Sequence, residues 1–204
     1  MHMVCLDLEG VLVPEVWINF AERTGIPELR LTTRDIPDYD QLMQGRLRIL
    51  AKHKLGLREI QEVISAMEPL EGARAFLDQL RNEFQVIILS DTFYEFGMPL
   101  MRKLGLPALF CHKLEVGPAG EISGYRLRQP DPKRKAVAAL KGLNFRVIAA
   151  GDSYNDTSML SEADAGILFC APENVAREFP QFPLRSTYGE LDTEIRRASS
   201  ALTF

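Results

Sequence analysis

Four short apolar runs, at residues 3–8, 86–89, 146–150 and 165–168, each end near a Gly, Asp or Ser, and this recurring pattern restricts the fold more than any other feature of the chain. Apolar runs bounded by turn residues are what parallel strands buried on both faces look like. Helical patterns lie between them, at 72–82, 94–104 and 133–140. Alternating strand and helix predicts an α/β fold: a doubly wound, mainly parallel sheet with helices on both faces.

Between the first run and the 72–82 helix lies a stretch too long for one crossover. It has helical periodicity at 15–24, where Val16, Phe20 and Ala21 share one side, and again at 39–53 and 57–67. A small helical cap inserted after the first strand is expected. Residues 14–70 would form it, leaving 1–13 and 71–204 as the α/β core. Residues 30–38 read as a connector within the cap, closed by Pro37. A hairpin is expected at 114–127, where Gly117-Pro118, Gly120 and Gly124 separate short β-prone pieces, and a closing helix at 188–202.

Ligands of an open α/β sheet bind outside the carboxyl ends of its strands. Three of the four runs deliver polar groups there: Asp7 and Glu9 after the first, Ser90 and Asp91 after the second, Asp152, Asn155 and Asp156 after the third. Several carboxylates at one edge repel one another unless a cation sits among them, and an all-oxygen set suits Mg²⁺ better than Zn²⁺. Metal and carboxylate together can serve an anionic substrate if a second cation helps, and Lys133, at a helix start after Asp131-Pro132, can be that cation. Ser90 can donate its hydroxyl to a phosphoryl oxygen. Asp7 is then the candidate nucleophile, and Glu9, two residues on, the candidate acid and base. Taken singly, such an Asp is commonly a helix cap or turn former, and Lys133 a solvated lysine. Their order at successive strand ends is what argues for chemistry.

Composition removes several classes of partner. The chain has 204 residues, 46% of them hydrophobic and 25% charged, with 24 basic against 28 acidic side chains and a formal net charge of -4, so nothing draws it to nucleic acid or an anionic membrane. No stretch approaches the roughly 20 apolar residues of a spanning helix, and the first strand begins too near Met1 for a signal peptide. Cys5, Cys111 and Cys170 form no CxxC pair, and Cys5 and Cys170 read as small buried hydrophobes; a reducing cytoplasm fits. His112 is expected to end an edge strand rather than bind a metal, and Trp17 to be core. No glycine-rich nucleotide loop occurs, so the phosphate must come with the substrate.

Asp7-Leu8-Glu9-Gly10, Ser90 in Ile-Leu-Ser-Asp-Thr, Lys133 in Asp-Pro-Lys-Arg, and Gly151-Asp152-Ser153-Tyr154-Asn155-Asp156 together resemble the four motifs of the haloacid dehalogenase-like phosphatases. The helical cap and the stretch at 68–73 look like phosphoserine phosphatases. The strings DLEGVLVPE, RDIPDYD and ILSDTFYEF are similar to the bacterial bifunctional branch that also transfers phosphate to homoserine. The resemblance implies a Rossmann-like core and an aspartyl-phosphate on Asp7, with Glu9 as general acid and base. It further implies Mg²⁺ held by Asp7, the main-chain carbonyl of Glu9 and Asp152. Phosphate contacts are implied from Ser90 and Lys133, with Asp91 and Asn155 as further candidates and Asp156 as support; a homodimer follows by analogy. Two departures from ordinary phosphoserine phosphatases, Glu9 for Asp and Asp91-Thr92 for Gly-Gly, belong to the bifunctional branch and put simple hydrolase behaviour in doubt.

An amino-acid phosphate carries an ammonium and a carboxylate away from the phosphate. By resemblance Glu15 would take the ammonium and Arg46, on a cap helix, would hold the carboxylate through a bidentate fork. A phosphatase for another small phosphomonoester and a non-catalytic phosphate- or metal-binding regulator are the competing readings, because the core motifs do not encode the substrate.

Overall fold

In a computed structural model of the chain, residues 1–32, 35, 36 and 38–202 are described; Pro37, the expected close of the connector, lies outside them. Seven strands form one sheet: β1 (His2–Leu6), β2 (Gln85–Phe93), β3 (Ala108–Val116), β4 (Ile122–Arg126), β5 (Arg146–Gly151), β6 (Ala165–Phe169) and β7 (Leu184–Arg185). Their order is β4-β3-β2-β1-β5-β6-β7, all parallel except the β3–β4 hairpin. The four apolar runs are β1, the start of β2, β5 and β6.

Side chains alternate across each buried strand and feed two separate apolar layers, which is why no polar alternation shows in the sequence. Val4 and Leu6 of β1, with Ile148 and Ala150 of β5, face one layer; Met3, Cys5, Val147 and Ala149 face the other. The first layer is closed by α4 (Ala73–Arg81), α5 (Tyr94–Lys103) and α9 (Tyr188–Ala201), the second by α6 (Pro132–Gly142), α7 (Thr157–Glu162) and α8 (Glu173–Glu178). Among the described residues no helix is long and apolar enough to cross a membrane.

Helices α1 (Val16–Thr24), α2 (Tyr39–His53) and α3 (Leu57–Ala66) occupy the stretch between β1 and α4. Their apolar faces join the first layer: Phe20, Met43, Ile60 and Ile64 are fully buried, each contributing roughly 1.5–3 kcal/mol over exposure. Trp17 meets Phe96 of α5 edge to face at 5.6 Å. Pro99 lies inside α5 and cannot donate to the carbonyl of Glu95 four residues back. Gln61 of α3 donates its side-chain amide to that carbonyl at 2.9 Å, so α3 satisfies the acceptor that the proline leaves open.

Two expectations need correction. His112 does not end an edge strand: it lies within β3, which is flanked by β2 and β4, and is 3% exposed. Its ring is held by polar partners that come from distant parts of the chain. Cys170 is not a buried hydrophobe but is exposed, because the chain turns there with φ of 51° immediately after β6.

Candidate active site

Strand β1 ends at Leu6, and the amide of Asp7 still donates to the Ala150 carbonyl of β5 at 3.0 Å, so the Asp7 carboxylate emerges where the strand order reverses. The chain then folds back tightly, with Gly10 at φ 79° donating to the Val13 carbonyl at 2.8 Å. A Cβ at Gly10 would lie 2.5 Å from Asp152 Oδ2, so glycine is required both by its conformation and by the close approach of that carboxylate. Gly10→Ala is therefore expected to displace Asp152, weakening divalent-cation binding by an order of magnitude or more in a calorimetric titration while the fold persists.

Lys133 is brought in by the turn before α6, where Asp131 adopts φ 48° and accepts from Ser158 Oγ at 2.9 Å. Its side chain is 3% exposed, and the ammonium lies 2.8 Å from Asp7 Oδ1, 2.7 Å from Asp156 Oδ1 and 3.6 Å from Asp91 Oδ2. Burial alone would lower the Lys133 pKa, but Asp156, Asp7 and Asp91 raise it well above the ordinary value, so the side chain stays charged. Asp156 is fully buried, and its second oxygen accepts the backbone N–H groups of Asp152 at 3.0 Å and Ser153 at 3.2 Å. Gly151 makes room for this packing, since a Cβ there would lie 2.4 Å from Asp156.

Asp7, Asp152 and Asp156 each offer a carboxylate oxygen within 4.8 Å of the others, all three buried. Burial first, then Asp156 and Asp152 against the opposing Lys133, push the Asp7 carboxyl well above the usual range; burial, Asp156 and Glu15 push Asp152 up to about 6. One lysine does not balance three acids, and the hard oxygen donors fit a small divalent cation. Asp156 is already engaged through both oxygens, so Asp7 and Asp152 are the carboxylates placed to turn onto such an ion.

Glu9 reaches toward α1: its Oε2 accepts the N–H of Val16, the first residue of that helix, at 2.9 Å, where the helix end favours an anion. Asp7, Glu9, Glu15, Arg46, Ser90, Asp91, Lys133, Asp152 and Asn155 all line one cleft of about 760 Å³ between the sheet edge and helices α1 and α2, with Asp156 behind its wall. Ser90 is 4% exposed, and its Oγ accepts the Thr92 amide at 3.2 Å, which leaves the hydroxyl hydrogen to donate. Arg46 is buried, lies 4.4 Å over the Trp17 ring and donates to the Leu31 carbonyl at 2.8 Å, while its Nε has no hydrogen-bond partner among the described residues. Trp17 is thus core on one edge and a platform for Arg46 on the other. Tyr39, Tyr154 and Cys170 also line the cleft and were not expected there; only Tyr39 offered a signal, as the first residue of a predicted cap helix.

The chain belongs to the haloacid dehalogenase-like hydrolases, whose sequence pattern matches residues 1–164. Within that class it is 66% identical to the phosphoserine phosphatase ThrH of Pseudomonas aeruginosa, an alignment that covers 98% of both chains. It is 64% identical to a phosphoserine phosphatase of Pseudomonas syringae pv. tomato, covering 98% of this chain and 84% of that one. A solved phosphoserine phosphatase described as a phospho-aspartyl intermediate analogue shares the fold, with a TM-score of 0.71, 21% identity, and coverage of 90% of this chain and 91% of that one.

Proposed function

We propose that the protein is a phosphoserine phosphatase that carries the phosphoryl group on Asp7 and also delivers it to homoserine. The observation that carries this reading is the buried Asp7–Lys133–Asp156 cluster at the foot of a cleft whose walls also hold Glu15 and Arg46, in a chain similar along its length to phosphoserine phosphatases. Asp7 attacks phosphorus, and the P–O bond to the serine oxygen breaks as Glu9 gives that oxygen its proton. Glu9, now anionic, takes the proton of the incoming water or homoserine hydroxyl, whose oxygen displaces Asp7 from phosphorus. Lys133, Ser90 and Asn155 hold the phosphoryl oxygens through both steps. Mg²⁺ held by Asp7, the Glu9 main-chain carbonyl and Asp152 would supply the remaining neutralisation of charge on the phosphoryl group.

Asp91 enters this scheme through its backbone: its carboxyl is subject first to burial, which raises it, but Lys133, His112 and Asn155 hold it far below the usual range, so it is an anion and repels phosphate. Residues 14–70 act as the cap over a core of 1–13 and 71–204, screening the aspartyl-phosphate from water long enough for an alcohol to compete. We place the reaction in a reducing cytoplasm, in keeping with three unbridged cysteines, and expect a homodimer, which sedimentation would test.

Phosphoserine with Mg²⁺ is expected to release phosphate, and added homoserine to divert part of it into O-phosphohomoserine. No ester at saturating acceptor would reduce the enzyme to a plain phosphatase, and faster turnover of other esters in a panel would reassign the donor. Arg46→Ala is expected to lower kcat/KM for phosphoserine about 10- to 100-fold, as for loss of one hydrogen-bonded charge pair, and to affect esters lacking a carboxylate far less. Equal losses on both would remove the carboxylate clamp.

A further inference from the structure

From Leu89 to Phe93, β2 advances four residues while the β3 stretch it pairs with, Phe110 to His112, advances two. The surplus bulges outward and carries Ser90 and Asp91 into the cleft, with the ladder interrupted beside them. The bulge is held from both sides. Below it, His112 Nδ1 accepts the backbone N–H of Arg128 at 3.1 Å, which places the ring proton on Nε2, and Nε2 lies 3.6 Å from Asp91 Oδ1. The other carboxylate oxygen accepts from Asn155 Nδ2 at 3.2 Å and lies 3.6 Å from Lys133. Above it, the hydroxyl of Tyr39, the first residue of cap helix α2, donates to the Asp91 carbonyl at 3.1 Å, with its ring edge-on to His112.

Asp91 therefore touches two of the groups assigned to the phosphoryl oxygens, and something must keep it from displacing them. An anion beside Lys133 competes with Asp7 and with any bound phosphate for that ammonium. The His112 Nε2–H draws the carboxylate the other way, and the Tyr39 hydroxyl fixes its backbone only while α2 is docked.

We propose that His112 and Tyr39 are positioning residues that act through Asp91, holding its carboxylate off Lys133 and so making the phosphate site depend on the docked cap. This rests on the reading of Asp7, Ser90 and Lys133 as a phosphoryl-transfer site, but not on the identity of the leaving group.

Two replacements of His112 separate its two contacts. His112→Asn keeps an acceptor for the Arg128 amide and loses the donor to Asp91, whereas His112→Gln keeps a donor near the Nε2 position. With Mg²⁺, and with both phosphoserine and p-nitrophenyl phosphate as substrates, His112→Asn is expected to lower kcat about tenfold, with His112→Gln restoring most of it at a similar melting temperature. Tyr39→Phe preserves the ring packing and should lower kcat/KM severalfold without shifting Tm. If both act through Asp91, the double variant loses less than the product of the single effects. Equal impairment by Asn and Gln that follows Tm, or multiplicative losses in the double variant, would overturn the proposal in favour of a purely structural histidine. A wild-type enzyme active on p-nitrophenyl phosphate but not on phosphoserine would correct the substrate, with the His112 comparison still deciding this point; inactivity on both would overturn the two readings together.

Discussion

Asp7→Asn is expected to lower turnover of phosphoserine by on the order of a thousandfold or more, because an amide cannot accept the phosphoryl group and no neighbouring carboxylate can replace it. Acid-quenched enzyme should carry no phosphoryl group; full activity in this variant would remove Asp7 as nucleophile. The same change is expected to stabilise the metal-free fold. Asp7 has its carboxyl raised, by burial and then by Asp156 and Asp152, so its ionisation opposes folding. The sign follows from linkage: a carboxyl whose folded pKa lies above its unfolded value costs stability once pH exceeds the unfolded value. Melting in EDTA at neutral pH should therefore show the variant above wild type, with the gap shrinking when Mg²⁺ is added.

Lys133→Met acts in the opposite direction on stability. It removes the ammonium 2.8 Å from Asp7 and 2.7 Å from Asp156, leaving buried carboxylates facing one another. Breaking a buried pair from one side costs about 3–5 kcal/mol, which for a domain of this size lowers Tm by roughly 10 °C. Activity should fall on the order of a hundredfold or more from loss of the cation on the phosphoryl oxygens. Added Mg²⁺ should recover part of the Tm, since a divalent ion relieves the same repulsion, but not the rate. A variant that melts with wild type in EDTA would show that the site does not need this lysine for its charge balance. Opposite Tm shifts from neighbouring residues in one cluster separate electrostatic strain from general loss of packing.

Much of the fold is legible because β1, β5 and β6 are buried on both faces and so stand out as unbroken apolar runs. β2 is read only in part: it continues through Ser90, Asp91 and Thr92, whose polar side chains end the apolar signal but not the strand. Strand β7, with two residues, and helices α7 and α8, with six each, are too short to establish a period. The residues that meet in the cleft are legible for a different reason, since strand ends in this topology converge, carboxylates and a serine at those ends mark themselves, and the lysine stands at a helix start beside them. What joins α2 and α3 to β2 and α5 is not. The Gln61 contact with the Glu95 carbonyl and the Tyr39 contact with the Asp91 carbonyl link side chains to backbone atoms 34 and 52 residues away. The place of His112 is hidden for the same reason: its partners, Asp91 and the Arg128 amide, are invisible to local periodicity.

The position of β1 between β2 and β5 also governs how the protein must be made. Residues 3–6 of β1 find their first neighbours at 85–88 and their second at 147–150. A growing chain on the ribosome holds the Asp7 strand with one edge bare until β5 has emerged, and such edges invite pairing with other chains. Stalled or truncated products ending before residue 146 should therefore be aggregation-prone and inactive, and chaperone demand during synthesis should ease only once the fifth strand is available.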